Sequence, residues 1–135
     1  MTSEPLRVLI SDDDPMIRDA LREVLEAEPD IAVVAVAGDA DEAIALAERH
    51  APAVAVLDVR MPGGGGPRAA REIRERSPAT RILAFSAYDD SGTVAEMTRA
   101  GIAEYLLKGA PNTEIVAAVR RAGAGWFRRT KLFDS

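Results

Sequence analysis

Ten residues, Ala53 to Pro62 (AVAVLDVRMP), constrain this chain more than any others. Five aliphatic residues run straight into Asp58, without the polar alternation of a half-exposed strand. Such a run reads as a strand covered on both faces, the habit of parallel sheets sandwiched between helices. Asp58 then stands at the strand's C-terminal end, where open α/β sheets carry their ligands. On its own, an aspartate there is as readily a strand-ending turn residue. Met61-Pro62 and four glycines, Gly63 to Gly66, follow it.

The rest of the chain repeats one unit. Leu6 to Ile10 is a short apolar run ending in Ser11-Asp12-Asp13-Asp14-Pro15. Ile17, Ala20, Leu21, Val24 and Leu25 then mark one buried helix face, with Asp14 as N-cap, Pro15 in the first turn and Pro29 as the stop. Ile31 to Ala37 is a second continuous apolar strand. Asp39 and Glu42 fit a capping box before a helix with Ala40, Ala43, Ile44 and Ala47 inward, ending before Pro52. After the glycines, Pro67 suits a helix start, and Ala70 and Ile73 face inward up to Ser77-Pro78. Arg81 to Phe85 is a fourth strand, followed by a helix with a thin apolar face at Val94 and Met97. Glu104 to Leu107 is a fifth strand. A last helix from Asn112 carries Ile115, Ala118, Val119 and Ala122 inward and ends at Gly123 or Gly125. Strict strand–helix alternation with short connections predicts right-handed crossovers and a doubly wound parallel sheet. The expected fold is a flavodoxin-like (βα)5 domain with strand order 2-1-3-4-5.

In that order the strand ends gather Asp12 and Asp13, Asp58, Ser86 and Lys108 at one edge. The second strand ends in Ala37-Gly38-Asp39 and is expected to contribute little. Two like charges 4 Å apart repel by about 4 kcal/mol at an effective dielectric near 20. A hard divalent cation removes that cost, and Mg²⁺ takes one or two carboxylates, waters and phosphate oxygens. A metal beside a carboxylate nucleophile, with a lysine and a hydroxyl opposite, is the equipment of phosphoryl transfer. Singly, each of these residues is as well explained by helix capping, a turn or a solvated surface.

Composition narrows the alternatives. A formal net charge of -5 argues against broad nucleic-acid binding, and the absence of cysteine excludes thiolate chemistry. No apolar run reaches the roughly 20 residues of a membrane span, and Met1 to Pro5 lack signal-peptide features, so a cytoplasmic location without a membrane partner is expected. The glycine run lacks the Gly-Lys-Ser/Thr of a P-loop. His50, the only histidine, closes a helix and reads as a solvated residue rather than a phosphodonor.

The acidic pair Asp12-Asp13, Asp-x-x-Met-Pro at Asp58 to Pro62, Ser86 and Lys108 together resemble the receiver domain of bacterial two-component response regulators, from about Leu6 to Gly123. The resemblance implies that Asp58 accepts a phosphoryl group from a sensor histidine kinase in a Mg²⁺-dependent reaction. It implies metal ligation by Asp13, Asp58 and the backbone carbonyl of Arg60, with Asp12 acting through a water. Lys108 and Ser86 would bind the phosphoryl oxygens. Ser86 and Tyr105 would switch the face formed by the fourth helix, fifth strand and fifth helix. Arg60 and Tyr88 occupy positions that tune phosphoaspartate lifetime. The resemblance implies a phosphoacceptor with at most self-phosphorylating and autodephosphorylating activity, rather than an enzyme on other substrates.

Lys108-Gly109-Ala110 is similar to NarL/FixJ-type regulators, which usually carry a C-terminal DNA-binding domain. The stretch after Gly125 is too short for one, so the chain is expected to be either a stand-alone receiver or a fragment of a longer regulator. The expected layout is a receiver over 5–124 and a tail or linker over 125–135, without direct nucleic-acid binding. Expected partners are the kinase, an output domain or protein, and a second copy through the face just named or through the first and fifth helices. The competing reading is a receiver that binds partners without phosphorylation, although such domains normally lack Asp58, the acid pair or Lys108. A haloacid-dehalogenase-type phosphatase would want Asp-x-Asp on the first strand, and here Arg60 holds the second position, on the third. With no side chains at Gly64 and Gly65, the loop after Asp58 is expected to be loosely anchored.

Overall fold

Strand and helix alternate without exception along residues 4–125, which the computed structural model describes. The strands are β1 (Leu6–Ser11), β2 (Ile31–Ala37), β3 (Val54–Asp58), β4 (Arg81–Ser86) and β5 (Glu104–Leu107). The helices are α1 (Pro15–Glu26), α2 (Ala40–His50), α3 (Gly65–Arg76), α4 (Ser91–Arg99) and α5 (Asn112–Gly123). All strand pairs are parallel and the order is β2-β1-β3-β4-β5, as the alternation predicts. Residues 126–135, read from sequence as tail or linker, lie outside the described residues.

Because successive strand side chains point to opposite faces, each central strand feeds two cores. Leu9, Ala55, Leu57, Ile82 and Ala84 pack under α2, α3 and α4 with Ala43, Ile73 and Met97. Val8, Ile10, Val54, Val56, Leu83 and Phe85 pack under α1 and α5 with Leu21, Leu25 and Val119. Every residue of β3 is buried, whereas the middle of β2 is only half-buried because β2 lies at the sheet edge. The buried carboxylate of Glu104, at the start of β5, receives both Nε and Nη2 of Arg121, at 3.1 and 2.6 Å, which ties β5 to α5.

The caps follow the sequence pattern. Asp14 accepts the Met16 amide, Asp39 accepts the Glu42 amide, and Glu42 returns a carboxylate to the Gly38 amide. Along α1 the predicted face is uneven: Leu21 and Leu25 are buried, Ile17 and Val24 half-buried, and Ala20 exposed.

The glycine run departs from expectation. Helix α3 begins at Gly65, ahead of Pro67, and the loop before it is tightly packed. Gly63, Gly64 and Gly65 have φ of +88°, +98° and +72°, a left-handed path that only glycine follows cheaply. The Gly66 amide donates to the Val59 carbonyl at 2.8 Å, and Pro62 accepts from the Ala40 amide at 3.0 Å. Arg68 Nη1 bridges Asp41 and the Gly63 carbonyl at 2.6 and 2.7 Å. The missing side chains therefore permit close backbone approach rather than loosening the loop.

A Cβ at Gly66 would stand 2.9 Å from the Asp58 carbonyl oxygen and from Val59 Cα. Gly66→Ala is expected to cost about 1–3 kcal/mol in urea denaturation. Gly109→Ala, with nothing within 4 Å of its Cβ, is expected to stay within about 0.5 kcal/mol of wild type. Equal stability of the two variants would contradict the packed loop.

Candidate functional site

Parallel strands present all their C-terminal ends at one side, and β1, β3, β4 and β5 are consecutive neighbours there. Asp12 and Asp13 follow β1, Asp58 and Ser86 end β3 and β4, and Lys108 follows β5. The fold thus assembles residues from four separate stretches of chain. Asp12, Asp13 and Asp58 each offer a carboxylate oxygen within 4.8 Å of the others. Asp12 is fully buried and Asp58 is 5% exposed, while Asp13 is exposed.

Lys108 Nζ bridges the two buried acids, 2.8 Å from Asp12 Oδ2 and 3.3 Å from Asp58 Oδ1. Its own backbone N–H donates a hydrogen bond to the Ser86 carbonyl at 2.8 Å. Asp12 is hydrogen-bonded at its amide, carbonyl and Oδ1, and its Oδ2 faces the lysine as an ion pair. Its amide donates to Ala37, its carbonyl accepts from Arg18 Nη1 at 2.8 Å, and its Oδ1 accepts the Asp14 amide at 2.9 Å. Asp58 is held less tightly. Oδ1 meets the Arg60 amide at 3.4 Å, and Oδ2 has no hydrogen bond among the described residues.

Three carboxylates against one ammonium leave the cluster net negative. Burial, then the charge of Asp12, push the Asp58 carboxyl up to about 6, against the opposing pull of Lys108. Burial disfavours the Lys108 ammonium, but bonding to Asp12 and the charges of both acids outweigh it and hold its pKa above the usual range. A closely spaced all-oxygen donor set with unrelieved negative charge suits a hard divalent cation such as Mg²⁺.

Ser86 is buried, and its Oγ accepts the Tyr88 amide at 3.0 Å, leaving its O–H free to donate. Tyr105, half-buried on β5, donates its hydroxyl to the Tyr88 carbonyl. Tyr88 therefore links the two residues expected to switch together. The Arg60 guanidinium carbon lies 4.0 Å from the centre of the Tyr88 ring, a cation–π stack at the rim of the site. His50 contributes only its carbonyl, which accepts from Arg7. Two contributors carry no motif in the sequence: Arg18, on the mixed face of α1, and Gly38, which makes room for it.

The raised Asp58 pKa has a stability consequence. Between about 3.8 and 6 the folded protein holds this proton more tightly than the unfolded chain, so the group's contribution falls as pH rises through that window. Without divalent cations, Asp58→Asn is expected to be more stable than wild type at neutral pH. The gain should be on the order of 1–3 kcal/mol and fade as pH approaches about 4. Urea melts in EDTA across this range test it; a destabilised variant at neutral pH, or a gap that ignores pH, would contradict the assignment.

The sequence matches the response regulator receiver domain family over residues 8–120. YxjL, an uncharacterized transcriptional regulatory protein of Bacillus subtilis, is 38% identical over 125 residues, covering 93% of this chain and 57% of that protein. The nitrate/nitrite response regulator NarL of Escherichia coli K12 is 34% identical over 122 residues, covering 90% and 56%. The chain thus spans a little over half the length of the curated relatives it matches. The solved signal receiver domain of the response regulator NarL from Mycobacterium tuberculosis has a TM-score of 0.88 at 37% identity, covering 91% of this chain and 99% of that one. Phosphorylation-based signalling is the standard function of such domains. With this sheet order, this cluster of acids and lysine, and these relatives, the chain belongs to the response regulator receiver domain family, in its NarL/LuxR-type branch.

Proposed function

We propose that Asp58 is the phosphoacceptor and that a sensor histidine kinase's phosphohistidine is its donor. One observation carries the reading: Asp58 ends the fully buried β3 with Lys108 Nζ at 3.3 Å and two further carboxylates within 4.8 Å. Asp13, Asp58 and the Arg60 carbonyl would hold Mg²⁺, with Asp12 acting through water. Bound there, the metal supplies charge neutralisation for the transferring phosphoryl oxygens.

The side chains divide the remaining work. Lys108 and the Arg60 amide engage Oδ1 of Asp58, so the unencumbered Oδ2 is the attacking oxygen. As Oδ2 bonds to phosphorus, the bond from phosphorus to the donor nitrogen breaks. Lys108 then faces the new phosphoryl oxygens as a point charge. Ser86 keeps its bond from the Tyr88 amide and donates its free O–H to one of those oxygens. That shift moves the Tyr88 peptide, whose carbonyl holds the Tyr105 hydroxyl, and so reaches the face formed by α4, β5 and α5. The Arg60–Tyr88 stack screens the mouth of the site and sets how readily water reaches the acyl phosphate.

The receiver occupies 5–124 in this reading and acts in the cytoplasm, where kinase and phosphodonors are found. No described helix is long and apolar enough to cross a membrane. Its output would be a DNA-binding domain or a protein partner, with pairing of copies through α4, β5 and α5 or through α1 and α5.

Incubation with Mg²⁺ and acetyl phosphate, followed by intact mass, is expected to add one phosphoryl group to wild type and none to Asp58→Asn. Lys108→Met is expected to slow the addition by at least about tenfold, roughly the effect of losing one charge-assisted contact. An unmodified wild type would overturn the reading in favour of a phosphorylation-independent receiver, and equal labelling of the Asn variant would overturn Asp58 as the acceptor.

A further inference from the structure

Asp13 is the least supported of the clustered acids. It is exposed, its side chain has no hydrogen bond among the described residues, and its carboxylate still lies within 4.8 Å of those of Asp12 and Asp58. Its aim therefore depends on the backbone that carries it, above all on the peptide plane joining Asp12 to Asp13. That plane is gripped through the Asp12 carbonyl by Nη1 of Arg18 at 2.8 Å. Arg18 sits one turn into α1 on a helix capped by Asp14, so its Cα is fixed relative to the loop it holds.

Gly38 makes that grip possible. It does not have a left-handed φ, so the backbone does not demand glycine there. A Cβ at this position would stand 3.0 Å from Arg18 Nη1, closer than ordinary packing. The guanidinium occupies the space a side chain at Gly38 would fill. The β2 end, which offers no ligand, serves the site by being empty.

We propose that Arg18 is a positioning residue for the divalent-cation site: it fixes the Asp12–Asp13 peptide so that Asp13 faces Asp58. This rests on the Mg²⁺-site reading above. A simple charge effect predicts the opposite sign. Arg18 brings a cation to the backbone of one of the clustered acids, so removing it should tighten cation binding if only charge matters. If positioning matters, removing it weakens binding, because Asp13 loses its aim. Partners that orient metal ligands typically change affinity by about 10–100-fold when lost.

The test is Mg²⁺ affinity without phosphorylation, from the rise in melting temperature with Mg²⁺ concentration and from calorimetric titration. Arg18→Met is expected to weaken Mg²⁺ by about tenfold. Gly38→Ala keeps the arginine charge but crowds the guanidinium, and is expected to weaken Mg²⁺ in the same direction, by a smaller factor. It also keeps the test decisive should Arg18→Met fail to fold. Unchanged or tighter Mg²⁺ binding in the folded variants, with wild type binding normally, would overturn this inference alone. A wild type with no Mg²⁺-dependent shift would overturn the metal-site reading and this inference with it.

Discussion

The bridge from Lys108 to Asp12 and Asp58 is the interaction on which the site depends. Two carboxylates are buried at the end of a sheet, where desolvation and mutual repulsion both disfavour their charged forms. One ammonium, delivered from the far side by β5, offsets part of that cost and leaves the rest unrelieved. The remaining negative charge suits the cluster to a hard divalent cation. A fully neutralised cluster would be more stable and chemically inert.

The fold supplies the rigidity this arrangement needs. β3 is buried along its whole length and bonded on both sides, so Asp58 cannot retreat towards water. β5 is an edge strand and is anchored by Arg121 gripping Glu104 from α5. The glycine loop after Asp58 follows a left-handed path and is pinned by Arg68 to the start of α2. At the rim Tyr88 meets Ser86, Arg60 and Tyr105 at once.

Local rules carried far in this chain. Aliphatic runs, helical spacing and capping residues marked the five strand–helix units, and their strict alternation suggested the sheet order that the structure shows. Asp58, Ser86 and Lys108 were legible because each sits where a strand ends. The glycine run was misread because absent side chains signal either freedom or close approach, and only the neighbouring atoms distinguish them. At Gly65 and Gly66 those neighbours are the Val59 and Asp58 carbonyl oxygens. Gly38 and Arg18 escaped notice for the same reason. An arginine on a helix's mixed face looks solvated until its target carbonyl, six residues back, is seen.

By itself the sequence determined the strand–helix units, the strand ends and the residue types at them, because periodicity and capping act over a few neighbouring residues; the sheet order it only suggested, and the fold bears that out. Only the tertiary structure decided that the two buried acids, Asp12 and Asp58, share one lysine, which Asp58 oxygen is left free, and that Tyr88 joins Ser86 to Tyr105. Those are distances between residues tens of positions apart. They depend on how helices settle onto a twisted sheet, which no local pattern specifies.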